Sequence, residues 1–401
     1  MQHHEIREQF ALFRASKNQV YLDSGASSQK PDSVIDAMSD FSKYHYANVH
    51  RGIHKLSQES TRAFEKSRQH IADFLGAKSA EEIIFVKGLT EGINLIAATF
   101  GKMVVKKGQS IIISEMEHHS NMVPWMMLAQ EVGAKIKTIP VTKQGELDMH
   151  TYRHLLTEDV ALVSVMHISN VLGTINPIEE ISKLAKEKNI PVVIDGAQAA
   201  HHLPVDVQNI DCDFYVITGH KMYGPTGIGA IWGKRQHLEK MPPYHGGGEM
   251  VEEVHLQDFT VKAPPAKFEA GTPNIIGAVG LDYAISFIEK IGWERLQEIE
   301  QNVSCYCLEQ LQAIQEVRIL GQTDHKIGIF AFEIDGLHPA DVATILDQEG
   351  VAVRVGYHCA QPLHEQLGSM GSVRVSLGVY NNHMDIDRLI EGIKKAQELL
   401  R

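Results

Sequence analysis

From about residue 82 onward the chain alternates between short apolar runs, rich in β-branched residues, and amphipathic stretches of helical period. EIIFV, SIIIS, KIKTIPV, VALVSVMHI, IPVVID, CDFYVIT and GIGAIWG read as buried strands. TEGINLIAATFG, NMVPWMMLAQEVG and PIEEISKLAKEKN, which lie between them, read as helices. Apolar strands alternating with helices predict a mostly parallel sheet of seven strands covered by helices on both faces, an α/β fold. The last three strands lie too close together for pure alternation, so one antiparallel strand is expected there.

Residues 242–274, with MPPYHGGGEM and KAPPAKFEAGTPN, read as irregular loops. A helical stretch over roughly 275–315 follows. Then come a strand at KIGIFAFEI, a helix at PADVATILDQEG, strands at VAVRV and SVRVSLG, and a closing helix at MDIDRLIEGIKKAQELL. That order predicts a second, smaller α+β domain. The expected division is an N-terminal segment 1–20 packing with the small domain, a large domain over 21–274, and a mainly small C-terminal domain over 275–401.

Composition narrows the function classes. With 43% apolar and 22% charged residues, the 401-residue chain reads as an ordinary soluble globular protein. Its net charge of -12 argues against nucleic acid or an anionic membrane as partner. No run approaches bilayer length, and MQHHEIREQFALFRASKNQ lacks the apolar core of a secretory signal, so a cytoplasmic protein is expected. The four cysteines, Cys212, Cys305, Cys307 and Cys359, are too scattered for a disulfide scaffold.

In an open α/β sheet, ligands bind beyond the carboxyl ends of the strands. The residues just after the predicted strands are Thr90, the pair His118 and His119, Asn170, Asp195 with Gln198, and His220 with Lys221. Each has a plainer reading, as surface, cap or turn residue. Together they match what pyridoxal 5'-phosphate needs. A lysine amine forms a Schiff base with its aldehyde, and a carboxylate such as Asp195 keeps its pyridine nitrogen protonated. His119 could stack on the ring, Gln198 could meet the phenolic oxygen, and GLTEG offers the phosphate a helix N-terminus. No metal is expected: adjacent His118 and His119 point to opposite faces, and no third ligand stands at a usual spacing.

The stretches YLDSGASSQKP, NVHRGIHKLS, LTEGINL, EHHSNMVPW, SNVLGTINP, VVIDGAQAAHHLPVDV, GHKMYGPTGIG, GGGEM, FEAGTPN, RVGYHCAQPL and RVSLGVYN run along essentially the whole chain. Through them the chain resembles fold-type I pyridoxal-phosphate enzymes of the class V aminotransferase family, and most closely the cysteine desulfurases of the SufS/CsdA branch. The resemblance implies that Lys221 carries the cofactor, Asp195 pairs with the pyridine nitrogen, His119 stacks on the ring and Gln198 meets the phenolic oxygen. It implies phosphate contacts from Thr90, Thr218 and His220, with Gly271 and Thr272 supplied by the partner of a homodimer. Asn170 and Arg374 would hold the substrate carboxylate, His50 and Arg51 would border the pocket, and Cys359 would take the sulfur. Two motifs depart from the family: DSGAS stands where DSAAT is usual, and Thr218 where serine is frequent. Neither change removes a chemical role.

Cys359 lies in a polar loop, with His358 before it and Arg374, a planar carboxylate clamp, 15 residues on. The reaction implied converts L-cysteine to L-alanine and leaves a persulfide on Cys359, to be passed to a small acceptor protein of the SufE/CsdE type. Three alternatives stay open on sequence alone. They are a selenocysteine lyase or cysteine-sulfinate desulfinase, an ordinary aminotransferase in which Cys359 is incidental, and a non-enzymatic metal- or sulfur-binding protein.

Overall fold

The computed structural model describes residues 1–16 and 19–400. The seven apolar runs become strands β1 (Ile83–Val86), β2 (Ser110–Ser114), β3 (Lys135–Ile139), β4 (Val160–Met166), β5 (Val192–Asp195), β6 (Phe214–Thr218) and β7 (Gly229–Gly233). They form one sheet in the order β1-β7-β6-β5-β4-β2-β3. β7 runs antiparallel to β1 and β6, and the other neighbours are parallel. The expected antiparallel strand is therefore present. Residues 219–228 are too few for the crossover that a parallel return would need.

Every residue of β2, β4, β5, β6 and β7 is buried, and alternate side chains feed two cores. Ile112, Val163, Ile194, Tyr215 and Ile217 face one. Ile111, Ile113, Leu162, Val193, Phe214 and Val216 face the other. Helices cover both faces. In α1 (Leu89–Ile96) the buried residues are Leu89, Gly92, Ile93, Leu95 and Ile96. In α2 (Ile178–Lys186) Ile178, Ile181, Ser182 and Ala185 form the inward stripe, with Glu179 and Glu180 in the first turn and Lys183 and Lys186 in the last, as the helix dipole favours.

The stretch expected as one helix over 275–315 is two, α3 (Ile275–Ile291) and α4 (Trp293–Gln312). Gly292, at φ +83°, breaks them. The apolar residues of α3, among them Ile275, Leu281, Ile285 and Ile288, pack into a core of the large sheet. This helix thus packs with the large sheet although it lies beyond residue 274. The small sheet consists of β8 (Val317–Leu320), β9 (Ile329–Ile334), β10 (Arg354–Gly356) and β11 (Ser372–Ser376), antiparallel in the order β8-β9-β11-β10.

Three further details differ from the sequence reading. β8 was not anticipated. VAVRV is two strands: Val351–Ala352 pairs in parallel with Val20–Tyr21, and Arg354–Gly356 joins the small sheet. Residues 242–274 hold an antiparallel hairpin, Val251–Val254 with Phe259–Val261.

The N-terminal segment bridges both parts; of its residues 1–20, Lys17 and Asn18 lie outside the described residues, as does Arg401 of the C-terminal span. Phe10 meets Tyr223, Phe287 and Tyr380 edge-on, and Arg7 pairs with Asp385 at 2.8 Å. Among the described residues no helix is long and apolar enough to cross a membrane.

Candidate active site

A cavity of about 800 Å³ opens beyond the carboxyl ends of β4, β5 and β6 and beneath the β10–β11 connection. Its lining brings together Thr90, Asn170, Asp195, Gln198, Thr218, His220, Lys221, Cys359 and Arg374, nine of the residues expected from the sequence.

Lys221 ends the short turn Gly219–Lys221 that follows β6. The turn is closed by a hydrogen bond from the Gly224 N–H to the Gly219 carbonyl, and it leaves no room for a side chain at position 224, where a Cβ would stand 2.9 Å from that same oxygen. Tight closure of this loop holds Lys221 at the cavity. Burial pulls the Lys221 amine down to about 8, against the opposing pull of the Asp195 carboxylate, and Arg374 adds to the lowering. Asp195 is itself raised by burial, with its Oδ1 accepting from the Ala197 N–H at 2.9 Å. Burial also drives His118 down to about 3 and His220 to about 4, with the Lys221 charge contributing to both. These imidazoles are neutral, so the cations on the lining are lysine and arginine.

Several buried polar atoms in the cavity have no partner within the protein: Asn170 Oδ1, Gln198 Oε1, Thr218 Oγ1 and Arg374 Nε. Buried polar groups are nearly always paired, so this set fits a polar ligand with several hydrogen-bonding edges. Both amides are oriented by their other end: Gln198 Nε2 donates to the Gly25 carbonyl at 2.8 Å and Asn170 Nδ2 to the His358 carbonyl at 2.7 Å. Thr90, in the first turn of α1, donates to Ser120 Oγ at 3.0 Å. A helix N-terminus, a threonine, a deprotonatable lysine and a buried carboxylate lining one cavity fit pyridoxal phosphate.

Arg374 is 2% exposed. Its Nη1 donates to the Asn170 carbonyl at 2.9 Å and its Nη2 to Asp23 Oδ1 at 3.1 Å. Arg354 also lines the cavity and donates to both Asp23 oxygens, at 3.1 and 2.9 Å to Oδ2 and 3.1 Å to Oδ1. Cys359 is exposed and sits in the 357–371 connection, which carries a single short helix, α5 (Gln361–Gln366). The backbone at His358 and Cys359 is left-handed, at φ +48° and +57°. The His119 N–H donates to the Cys359 carbonyl at 2.8 Å, which ties the loop to the large domain.

Other expected residues stand apart from this lining. His119 is flanked by two lining residues, His118 and Ser120, and its Nε2 accepts from the Gln361 N–H at 3.4 Å. Gly271 and Thr272 line an adjoining cavity of about 490 Å³, which shares Lys87, Glu91, Gly227 and Tyr244 with the first. His50 and Arg51 meet Glu65 and Glu249 at 2.9 and 3.2 Å. The sequence reading missed Asp23 and Arg354, although both lie inside motifs it had singled out. It also missed Glu117, wholly buried, which accepts from Asn121 and from the Met166 N–H and which burial raises to about 8.

The class-V aminotransferase pattern matches residues 20–389. The chain is 47% identical over 399 residues to a cysteine desulfurase of Serratia proteamaculans, covering 98% of each. Its fold superposes on the cysteine desulfurase CsdA of Escherichia coli, solved with an S-sulfonic acid, with a TM-score of 0.93 at 36% identity, covering 100% of this chain and 99% of the other. It matches a cysteine desulfurase of Thermococcus onnurineus NA1 with a TM-score of 0.94 at 37% identity, covering 98% of each. With Lys221, Asp195, Arg374 and Cys359 lining a single cavity, the chain belongs to the class-V aminotransferase family and, within it, to the cysteine desulfurases.

Proposed function

We propose that this protein removes the sulfur of L-cysteine, releases L-alanine and holds the sulfur as a persulfide on Cys359. The observation that carries the proposal is the meeting of an exposed cysteine with a lysine, a buried carboxylate and a buried arginine in one cavity. Pyridoxal phosphate, when bound, supplies an electron sink for charge developing on the substrate.

The protein's own groups do the rest. Lys221 is the residue that holds the cofactor, and its amine, lowered to about 8, takes up and returns the proton at the substrate Cα near neutral pH. Asp195 holds a proton at the pyridine nitrogen. Thr90, Thr218 and His220 hold the phosphate, Gln198 the phenolic oxygen, and we assign the ring-stacking position to His119. Arg374, aimed by Asp23 and the Asn170 carbonyl, binds the substrate carboxylate with its free Nε.

Cys359 attacks the substrate sulfur as a thiolate. An S–S bond forms, the C–S bond breaks, and its electron pair stays with the carbon that becomes the alanine methyl group. Cysteine plus thiol gives alanine plus persulfide, with no external oxidant. The persulfide leaves to a small acceptor protein with an exposed cysteine.

We further propose a homodimer, in which Gly271 and Thr272 complete the partner's phosphate site and His50 and Arg51 border a pocket. Ile53 is 93% exposed, and Leu256 at the tip of the hairpin is wholly exposed, an arrangement that suits an interface. The proposed compartment is the cytoplasm.

The test is to incubate the purified protein with pyridoxal phosphate and L-cysteine, quantify alanine, and look for a 32-dalton gain on Cys359 by mass spectrometry, about one sulfur atom as a persulfide requires. An α-keto acid in place of alanine, with Cys359 unmodified, would overturn the reading.

A further inference from the structure

Behind Cys359 lie three side chains that the chemistry above does not use. Ser372, at the start of β11, is wholly buried, and its hydroxyl stands between two imidazoles: His358 Nε2 at 3.0 Å and His364 Nε2 at 3.1 Å. The other nitrogen of His364, Nδ1, is 3.1 Å from the Ala360 carbonyl. His364 is wholly buried and His358 nearly so, and burial lowers both rings below the usual histidine range.

Their hydrogen-bond polarity follows from one fixed end. A carbonyl only accepts, so His364 Nδ1 carries the ring proton and His364 Nε2 is bare. That bare nitrogen accepts the Ser372 hydroxyl proton. The Ser372 oxygen then accepts from His358 Nε2–H, which leaves His358 Nδ1 as a bare acceptor. This atom is buried with no partner in the protein, as the chain of donors requires, and its residue lines the cavity. Burial and the Arg374 charge hold the His358 ring well below the usual histidine range, so it is neutral in this relay.

What the chain of bonds does is hold backbone. Left-handed φ at two consecutive residues that are not glycine persists only where the surroundings impose it. From the large domain, Asn170 and the His119 N–H grip the His358 and Cys359 carbonyls. From the small sheet, the relay grips the His358 ring and the Ala360 carbonyl, one residue to either side of the thiol. We propose that Ser372 is a positioning residue for Cys359: its hydroxyl joins His358 to His364 and so fixes the strained backbone that presents the thiol to the substrate sulfur. This rests on the desulfurase reading for its chemistry, not for its geometry.

The experiment compares wild type, Ser372→Ala, His364→Leu and the double variant. Three quantities are read: the single-turnover rate of persulfide formation with L-cysteine, the rate of Cys359 alkylation by iodoacetamide without L-cysteine, and amide hydrogen exchange over 357–361. Each single change is expected to slow persulfide formation about tenfold, the scale of one buried hydrogen bond. The double variant should be no slower than the slower single, because both changes cut the same relay. Alkylation, which needs access but not alignment, should not slow, and exchange over 357–361 should accelerate. Wild-type persulfide formation in Ser372→Ala, losses that multiply towards a hundredfold, or alkylation slowed in step would each overturn the proposal. If His364→Leu does not fold, Ser372→Ala alone decides it by the same three readings. A wild-type protein that makes no persulfide would sink the desulfurase reading, while unchanged exchange in Ser372→Ala would sink the relay.

Discussion

Arg354 and Arg374 are directly opposed across the antiparallel pair β10 and β11, and the carboxylate of Asp23 accepts hydrogen bonds from both. Like charges facing each other across strands repel. One aspartate shared between them removes that repulsion and fixes the Arg374 fork. Asp23→Asn should cost about 2 kcal/mol of stability, because a buried guanidinium loses its counter-charge. Chemical denaturation would show it as a lower midpoint with an unchanged slope, and an unchanged midpoint would mean that Asp23 is not that counter-charge.

Arg374→Lys should raise KM for L-cysteine by about ten- to a hundredfold, since an ammonium cannot reproduce the planar fork. Steady-state kinetics checks this; an unchanged KM and kcat would remove Arg374 from the substrate site.

Lys221→Ala should abolish the visible absorption band of covalently held cofactor and lower turnover by at least about a thousandfold, while the melting curve stays close to wild type. Normal turnover by this variant would end its assignment.

The Lys221 amine is lowered to about 8. A lowered amine loses its proton earlier as pH rises, and only the neutral amine is nucleophilic. The rate at which cofactor-free protein takes up pyridoxal phosphate should therefore climb through pH 7–9 with a midpoint near 8, instead of near the ordinary lysine value of about 10.4. A stopped-flow series across that range reads the midpoint directly.

The persulfide is expected to form faster than it leaves. The 357–371 loop is short, carries one helix and is tied at both Cys359 and His358, so the thiol has little reach. Mixing enzyme with excess L-cysteine should give a burst of about one alanine per active site, then a slow phase that a protein with an exposed cysteine accelerates. A steady rate indifferent to every acceptor would mean that chemistry limits turnover.

Much of this was legible in the sequence because it is local. Apolar runs such as VVID and FYVIT become buried strands, and the residues after them, Asp195, Gln198, His220 and Lys221, reach the cavity because strand ends in a parallel sheet share one edge. What could not be read was set by distant pairings. Arg354 acquires meaning only from its register with Arg374, and Ser372 only from two imidazoles delivered by the same loop. VAVRV looked like one strand because nothing local reveals that its halves pair with different partners. Which of the adjacent His118 and His119 lines the cavity depends on a turn geometry that alternation along a strand does not govern.

The bond between Asp23 and Arg374 spans 351 positions of the chain. All seven strands of the large sheet precede both arginines in chain order, so a ribosome completes that sheet before either arginine has emerged. The nascent protein can thus bring Lys221 and Asp195 together before Cys359 and Arg374, which line the same cavity, have been made.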